Sequence, residues 1–375
     1  MSPQHELARA AEAQGALLTA VVVLAACGAV AVFSATAPLA LDHTLPPHFL
    51  RHGAALLCGI ALVWTAARLP LAMWRMLAIP LHVVAVVALV ATLGIGRSAG
   101  GAQRWLVVPG LGMGFQPAEV AKLTTVLVLA VVLSRKDGRA EVTGRQFLLA
   151  LGLAALPAGL CLLQPDLGSA VILCTLAGVM LLVAGARVTH LALPALVSGI
   201  ALAGYIALRP YAWKRWVGFL DPWARASTKG FQLVQSFVAF GRGGLAGVGI
   251  GDGRQKLFYL PEAHNDFILS VVAEETGLIG VLVILGAFVA LMIAGLRIAL
   301  AARERLPFLL ATGATVLLTL PAALNAAVVM GCLPTKGLTL PFISYGRTSL
   351  LVSCVTVGVL LAAARPPAAA RGRRS

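Results

Sequence analysis

The chain has 375 residues, 59% of them hydrophobic and only 11% charged, with a mean hydropathy of +0.93. That composition excludes an ordinary soluble domain and marks a polytopic membrane protein. The net charge of +15 would suit nucleic acid, but most basic residues lie in short loops between apolar runs, as membrane insertion requires. No nucleic-acid partner is expected.

Residues 1–14 are polar and carry Glu6 and Glu12, with no basic region or cleavage site before the first apolar run, so that run is read as retained. Ten runs of near-spanning length then follow at about 15–39, 52–68, 76–94, 118–134, 147–163, 169–185, 191–208, 266–296, 307–330 and 349–364. They form one all-α membrane domain over 15–364, with one long loop at about 209–265 between the seventh and eighth spans. A basic tail, 365–375, closes the chain. With both termini inside, the inner segments hold 15 basic residues and the short outer loops five. The orientation rule therefore favours cytoplasmic termini. The six cysteines fall in or beside apolar runs without metal-ligand spacing, so they read as small hydrophobes and imply neither a disulfide framework nor zinc.

In this topology the fourth, sixth, eighth and tenth spans begin on the outer face, and each is introduced by proline. The introductions are Gln116-Pro117-Ala118-Glu119, Gln164-Pro165-Asp166, Leu260-Pro261-Glu262 and, less tightly, Leu340-Pro341. Proline with an acid in the first turn is a helix-start signal. Each taken alone is explained by capping. Four on one face would aim four helix N-termini, with their free N–H groups, toward an anion such as phosphate.

The long outer loop interleaves Arg209, Lys214 and Arg215 with Tyr211, Trp213, Trp216 and Trp223, a pattern read as an amphipathic segment in the headgroup layer. The glycine-dense stretch 241–253 lacks the GK[ST] ending of a nucleotide-binding loop and follows no strand. Glu262, His264 and Asp266 form an E-x-H-x-D cluster. If the helix has already begun, Glu262 and Asp266 share a face at i, i+4. A divalent cation such as Mg or Mn could bind there; capping and salt bridging is the other reading, and no cofactor is certain. Asp266, at the mouth of a span beside a cationic loop, is read as functional. Glu274 and Glu275 lie two to three turns deeper and are expected to pair with Arg or Lys from other spans.

These residues resemble the SEDS family (shape, elongation, division and sporulation). The resemblance covers nearly the whole chain. It is carried by GAQRWLVVPGLGMGFQPAEVAKL (101–123), QPDLGS (164–169), FLDPW (219–223), GFQLVQSFVAFGRGGLAGVGIG (230–251), KLFYLPEAHNDFI (256–268) and LPTKGLTLPFISYG (333–346). The LPEAH and PTKG forms are more similar to division-type members than to elongation-type ones. The resemblance implies a peptidoglycan glycosyltransferase that polymerises lipid II on the outer face of the bacterial inner membrane, at the septum. The implied partners are a class B penicillin-binding protein, other division proteins and membrane lipid.

The family's proposed catalytic aspartate falls on Asp266, and functionally important positions fall on Arg104, Lys122 and Glu262. The matching segments add Glu119, Gln164, Asp166, Gln235, Lys256, His264, Lys336, Ser344 and Tyr345 as candidate substrate-binding positions. The chain departs from the family pattern at Arg347, where SYGGSS has glycine. It departs also at Pro321 and Ala327 in a Q-x3-N-x-G stretch, and at Asn265, where threonine is usual. Asp266 is assigned as the base that takes a proton from a sugar hydroxyl, with Arg104, Lys122 and Lys256 stabilising the departing lipid pyrophosphate. A lipid-linked precursor flippase and a scaffold for the penicillin-binding protein are the alternative readings.

Overall fold

The computed structural model describes residues 3–39, 45–99, 102–108, 113–134 and 142–365. Within them eight helices are long and apolar enough to cross a membrane, and two further apolar helices are shorter. In chain order the ten are α1 (Pro3–Thr36), α2 (Pro47–Arg68), α3 (Leu71–Ile95), α4 (Pro117–Ser134), α5 (Gly144–Leu163), α6 (Leu167–Val183), α7 (Val188–Leu208), α10 (Ile268–Ala301), α11 (Arg305–Val329) and α12 (Arg347–Ala363). A hydrocarbon layer offers the backbone no hydrogen-bond partner, so each apolar run closes its own i→i−4 ladder. The ten expected spans and these ten helices correspond one to one. Residues 366–375, nearly all of the expected basic tail, lie outside the described residues.

The bundle is built around α4, where 89% of the most apolar window is buried, and around α11, where 67% is; in α7 no residue is buried. Small residues let the helices approach closely. A methyl group added at Gly59 of α2 would stand 2.6 Å from the Cys354 sulfur of α12. Successive crossings bring the α1–α2, α3–α4, α5–α6, α7–α10 and α11–α12 connections to one end. Interactions among residues from these connections occur there: Gln116 N donates to the Thr348 hydroxyl (3.3 Å) and Tyr345 N to the His264 carbonyl (2.9 Å).

Between α7 and α10 lie two shorter helices, α8 (Pro210–Leu220) and α9 (Phe231–Gly243). In α8 Trp213, Lys214 and Leu220 are exposed while Arg215 is half-buried. An antiparallel three-stranded sheet joins α3 to α4: β1 (Arg97–Ala99), β2 (Ala102–Val108) and β3 (Met113–Phe115), in the order β1-β2-β3. It has no counterpart among the expected elements, because two of its strands have only three residues and β2 shows no regular apolar–polar alternation.

Only one of the four expected helix starts has proline in its first turn. α4 begins at Pro117 with Glu119 in its first turn. α6 begins at Leu167, after Pro165, and is capped by Asp166, which accepts from Ser169 N at 3.2 Å. The other two fail. α10 begins at Ile268 and α12 at Arg347, so Pro261 and Pro341 lie in the preceding turns. Glu262 sits in the left-handed region at φ 56°, so it shares no helix face with Asp266. Ser344 and Tyr345 provide the physical reason. They donate to the Asn265 and His264 carbonyls and hold that backbone in turns.

α10 is interrupted at Gly277, whose φ of 66° no helix allows. The glycine-dense stretch fills the gap, giving it a packing role. Val248 N and Gly249 N donate to the carbonyls of Glu274 and Glu275, and Leu278 N and Ile279 N donate to those of Gly244 and Leu245. At Gly247 any side chain would collide with the Glu275 carbonyl, so the backbone can dock this closely only as glycine. Glu274 and Glu275 do pair with cations, though not from other spans. Arg242 of α9 lies 3.0 Å from Glu274, and Lys256 of the same inter-helix segment lies 2.6 Å from Glu275. Of the free cysteines, Cys161 and Cys354 are buried, Cys27 is intermediate, and Cys58, Cys174 and Cys332 are exposed. Not all six are therefore buried hydrophobes.

Candidate active site

Asp266 lies on the turn that leads into α10, and three polar side chains fix the backbone around it. Asn325 of α11 donates from Nδ2 to the Asp266 carbonyl (2.8 Å) and to the Leu338 carbonyl (2.7 Å). Ser344 donates to the Asn265 carbonyl (2.7 Å) and accepts from Leu340 N (2.8 Å). The Asn265 amide donates to the Glu262 carboxylate at 2.6 Å. The turn is thereby tied to the 333–346 segment on its other side.

Gly337, in that segment, borders both Asp266 and Arg104. A methyl group placed there would stand 3.2 Å from Asp266 Oδ2 and 3.8 Å from Arg104 Nη1. Arg104 comes from β2 and donates to the carbonyls of Gln164 (3.4 Å) and Pro165. Gln164 is itself buried and donates to the Leu89 carbonyl at 2.7 Å. Asp166 accepts from Ser169 Oγ (2.9 Å) and Gln116 Nε2 (3.3 Å). The QPD turn thus anchors Arg104 through its backbone. Arg215 of α8 donates to the Thr335 carbonyl at 3.1 Å, two residues from Gly337.

Burial pushes the Asp266 carboxyl from the ordinary 3.8 up to about 7. The guanidinium of Arg215 opposes this most, Glu262 adds to it, and Arg104 and Asp166 act more weakly in opposite senses. A carboxylate balanced near neutrality among arginines can accept a proton at physiological pH. Burial also lowers the basicity of Lys336, which is half-buried beside Gly337.

Lys122 and Glu119 form a buried pair on α4, 2.7 Å apart, with side-chain exposures of 4% and 12%. They line a cavity closed by Leu317 and Pro321 of α11, by Ser349, Ser353 and Thr356 of α12, and by Leu338 and Thr339. Since Leu338 follows Gly337, the cavity adjoins the Asp266 neighbourhood.

The remaining expected residues lie elsewhere or take other roles. Lys256 is buried and donates to Glu275 Oε1 (2.6 Å), Ser34 Oγ (2.8 Å) and the Gly251 carbonyl (2.6 Å), away from the Asp266 cluster. Gln235 is half-buried on α9. His264 and Tyr345 face each other, with ring centroids 5.8 Å apart. For His264, burial lowers the pKa, Glu262 opposes that and His48 adds to it. Glu262, His264 and Asp266 do not converge as ligands; among the described residues no group of three or more His, Cys, Asp or Glu is placed to hold a metal ion.

Sequence reasoning did not single out Arg215, Asn325 or Gly337 as site residues. Arg215 was absorbed into an interfacial segment. The signal for Asn325 was an amide in an otherwise apolar span, and for Gly337 a glycine following a lysine in a turn-rich segment.

The chain is similar to known proteins along nearly its whole length. The chain is 40% identical over 357 residues to the probable peptidoglycan glycosyltransferase FtsW of Trichlorobacter lovleyi, covering 94% of this chain and 93% of that one. It is 42% identical over 358 residues to the protein of the same name from Alcanivorax borkumensis, with 92% of each covered. Among solved structures, a chain from a peptidoglycan synthase complex described as coordinating polymerization and crosslinking superposes with a TM-score of 0.76 at 30% identity, covering 93% of this chain and 96% of that one. The rod shape determining protein RodA of Thermus thermophilus gives 0.69 at 29% identity, covering 96% and 97%. The family model of cell cycle proteins that joins FtsW, RodA and SpoVE matches residues 15–367, and the chain belongs to that family.

Proposed function

We propose that the chain is a peptidoglycan glycosyltransferase of the division type, polymerising lipid II at the outer face of the inner membrane. A sugar hydroxyl of the acceptor attacks the anomeric carbon of the donor. The new C–O bond forms as the bond to the lipid pyrophosphate breaks, and the hydroxyl proton passes to Asp266. A single displacement inverts the anomeric centre, turning an α-linked pyrophosphate into a β-linked glycan. The observation that carries this reading is the Asp266 carboxylate, whose turn is fixed by Asn325 and Ser344 and which borders Gly337 together with Arg104.

Arg104 and Arg215 stabilise the charge on the departing pyrophosphate. Glu119 and Lys122 shape the adjoining cavity. Both termini face the cytoplasm, as the basic-residue bias favours. The enzyme works at the septum with a class B penicillin-binding protein and other division proteins, a pairing supported by its likeness to a chain of a synthase complex.

Labelled lipid II, supplied to wild type and Asp266→Asn with and without the partner, tests the reading. Glycan strands from wild type and none from Asp266→Asn are expected. Full polymerisation by the variant removes Asp266 from the chemistry. Lipid II translocated but left unpolymerised by wild type favours a flippase.

A further inference from the structure

A second polar cluster lies where the first turns of α2 meet the start of α12. His48 packs edge-on against Tyr345, with centroids 5.0 Å apart, and against His264 at 5.7 Å, while His52 lies 6.5 Å from Tyr345. His52 is 0% exposed, and neither of its ring nitrogens has a hydrogen-bond partner; His48 Nδ1 is also buried and unpartnered. Every imidazole carries at least one N–H, so the cluster holds donors that the protein itself leaves unused. His48 lies within electrostatic reach of both Arg51 and Arg347. Among the described residues neither arginine is paired with a carboxylate. Glu262, which acts on His264, is the acid of this neighbourhood, and its carboxylate takes the Asn265 amide.

Guanidiniums unpaired among the described residues, within electrostatic reach of unused imidazole donors at the starts of two apolar helices, suit a phosphate group on a lipid. The polymerase reading, on which this inference rests, supplies two such groups at once. The donor's pyrophosphate leaves beside Asp266, and the acceptor's stays intact throughout. Arg104 and Arg215 serve the first. We infer that Arg51, Arg347 and the His48–His52–His264–Tyr345 cluster form a second lipid-phosphate subsite, which holds the pyrophosphate of the acceptor lipid. Arg347, a cation where the family pattern has glycine, gives this chain a contact that the usual sequence lacks.

The subsite is tested by counting bound undecaprenyl pyrophosphate per chain, using native mass spectrometry on full-length protein in phosphatidylcholine nanodiscs. Wild type should bind two molecules, Arg51→Gln/Arg347→Gln one, and Arg104→Gln/Arg215→Gln one. Arg51 is exposed, so Arg51→Gln alone should keep the wild-type unfolding midpoint and weaken the second binding event at least tenfold. Two molecules at undiminished affinity on the Arg51/Arg347 double variant would overturn the proposal, as would a single molecule on wild type. Displacement of the second molecule by tenfold phosphatidylglycerol would reassign the subsite to a phospholipid headgroup and overturn the acceptor assignment. The count requires no turnover. A wild type that binds two lipids but makes no glycan even with its partner present would overturn the polymerase reading, leaving two phosphate subsites in place.

Discussion

If Asp266 is the base, the polymerisation rate must follow its ionisation. With the carboxyl at about 7, about one molecule in ten is ionised at pH 6 and nine in ten at pH 8. The rate should therefore rise about tenfold across that interval, where an unperturbed aspartate would give a flat profile. Moving the group from 3.8 to about 7 corresponds to roughly 4 kcal/mol in favour of the protonated form, an upper figure set by burial. The sign carries over to stability. Ionisation penalises the folded state increasingly as pH rises from the ordinary value, and the penalty is complete above about 7. Asp266→Asn should thus unfold at a higher temperature than wild type at pH 8, with a smaller gain at pH 5, while losing on the order of 10²–10⁴ in rate. Arg215→Gln removes the strongest opposing charge and should move the midpoint of the rate profile upward. The assay is labelled lipid II polymerisation with the partner present, in buffers from pH 5.5 to 8.5. A flat profile, or a midpoint unmoved by Arg215→Gln, would refute the assignment.

Three further perturbations probe the scaffold. Gly337→Ala places a methyl group 3.2 Å from Asp266 Oδ2 and should cut polymerisation at least about tenfold with an almost unchanged unfolding midpoint, because the reacting geometry tolerates little displacement. Lys256→Met leaves Glu275 buried without its cation and should cost about 3–5 kcal/mol in detergent unfolding; adding Glu275→Gln should recover most of it. Asn325→Ala strips the Asp266 and Leu338 carbonyls of their donor, at about 1–3 kcal/mol, and should lower kcat more than it raises KM for lipid II.

The crossing helices were legible because hydropathy over some twenty residues is a local property, written into each segment independently. Asp266, too, could be read from its own neighbourhood, an acid at the head of an apolar run. The proline-led starts misled at Pro261 and Pro341. The turn after Pro261 is held by Ser344 and Tyr345, and the turn after Pro341 in return by Asn265 and His264, some 80 residues away in the chain, and no local signal announces them. The same holds for Arg215. Its sequence context reads as an interfacial segment, and only the folded arrangement brings its guanidinium into reach of Asp266. Lys256 shows the converse case. Its place beside the LPEAH motif suggested substrate binding, yet the fold turns it to Glu275 and Ser34.

The interruption of α10 at Gly277 separates two duties that a single long helix would confuse. From Leu278 to Ala301 the helix is about 36 Å long at 1.5 Å per residue, enough by itself for a hydrocarbon layer of about 30 Å. The Ile268–Thr276 portion, with Glu274, Glu275 and the turn bearing Asp266, therefore need not be immersed in acyl chains. It can stand as a pedestal at headgroup depth. Three carboxylates close together in so oily a sequence are then housed in protein rather than in lipid.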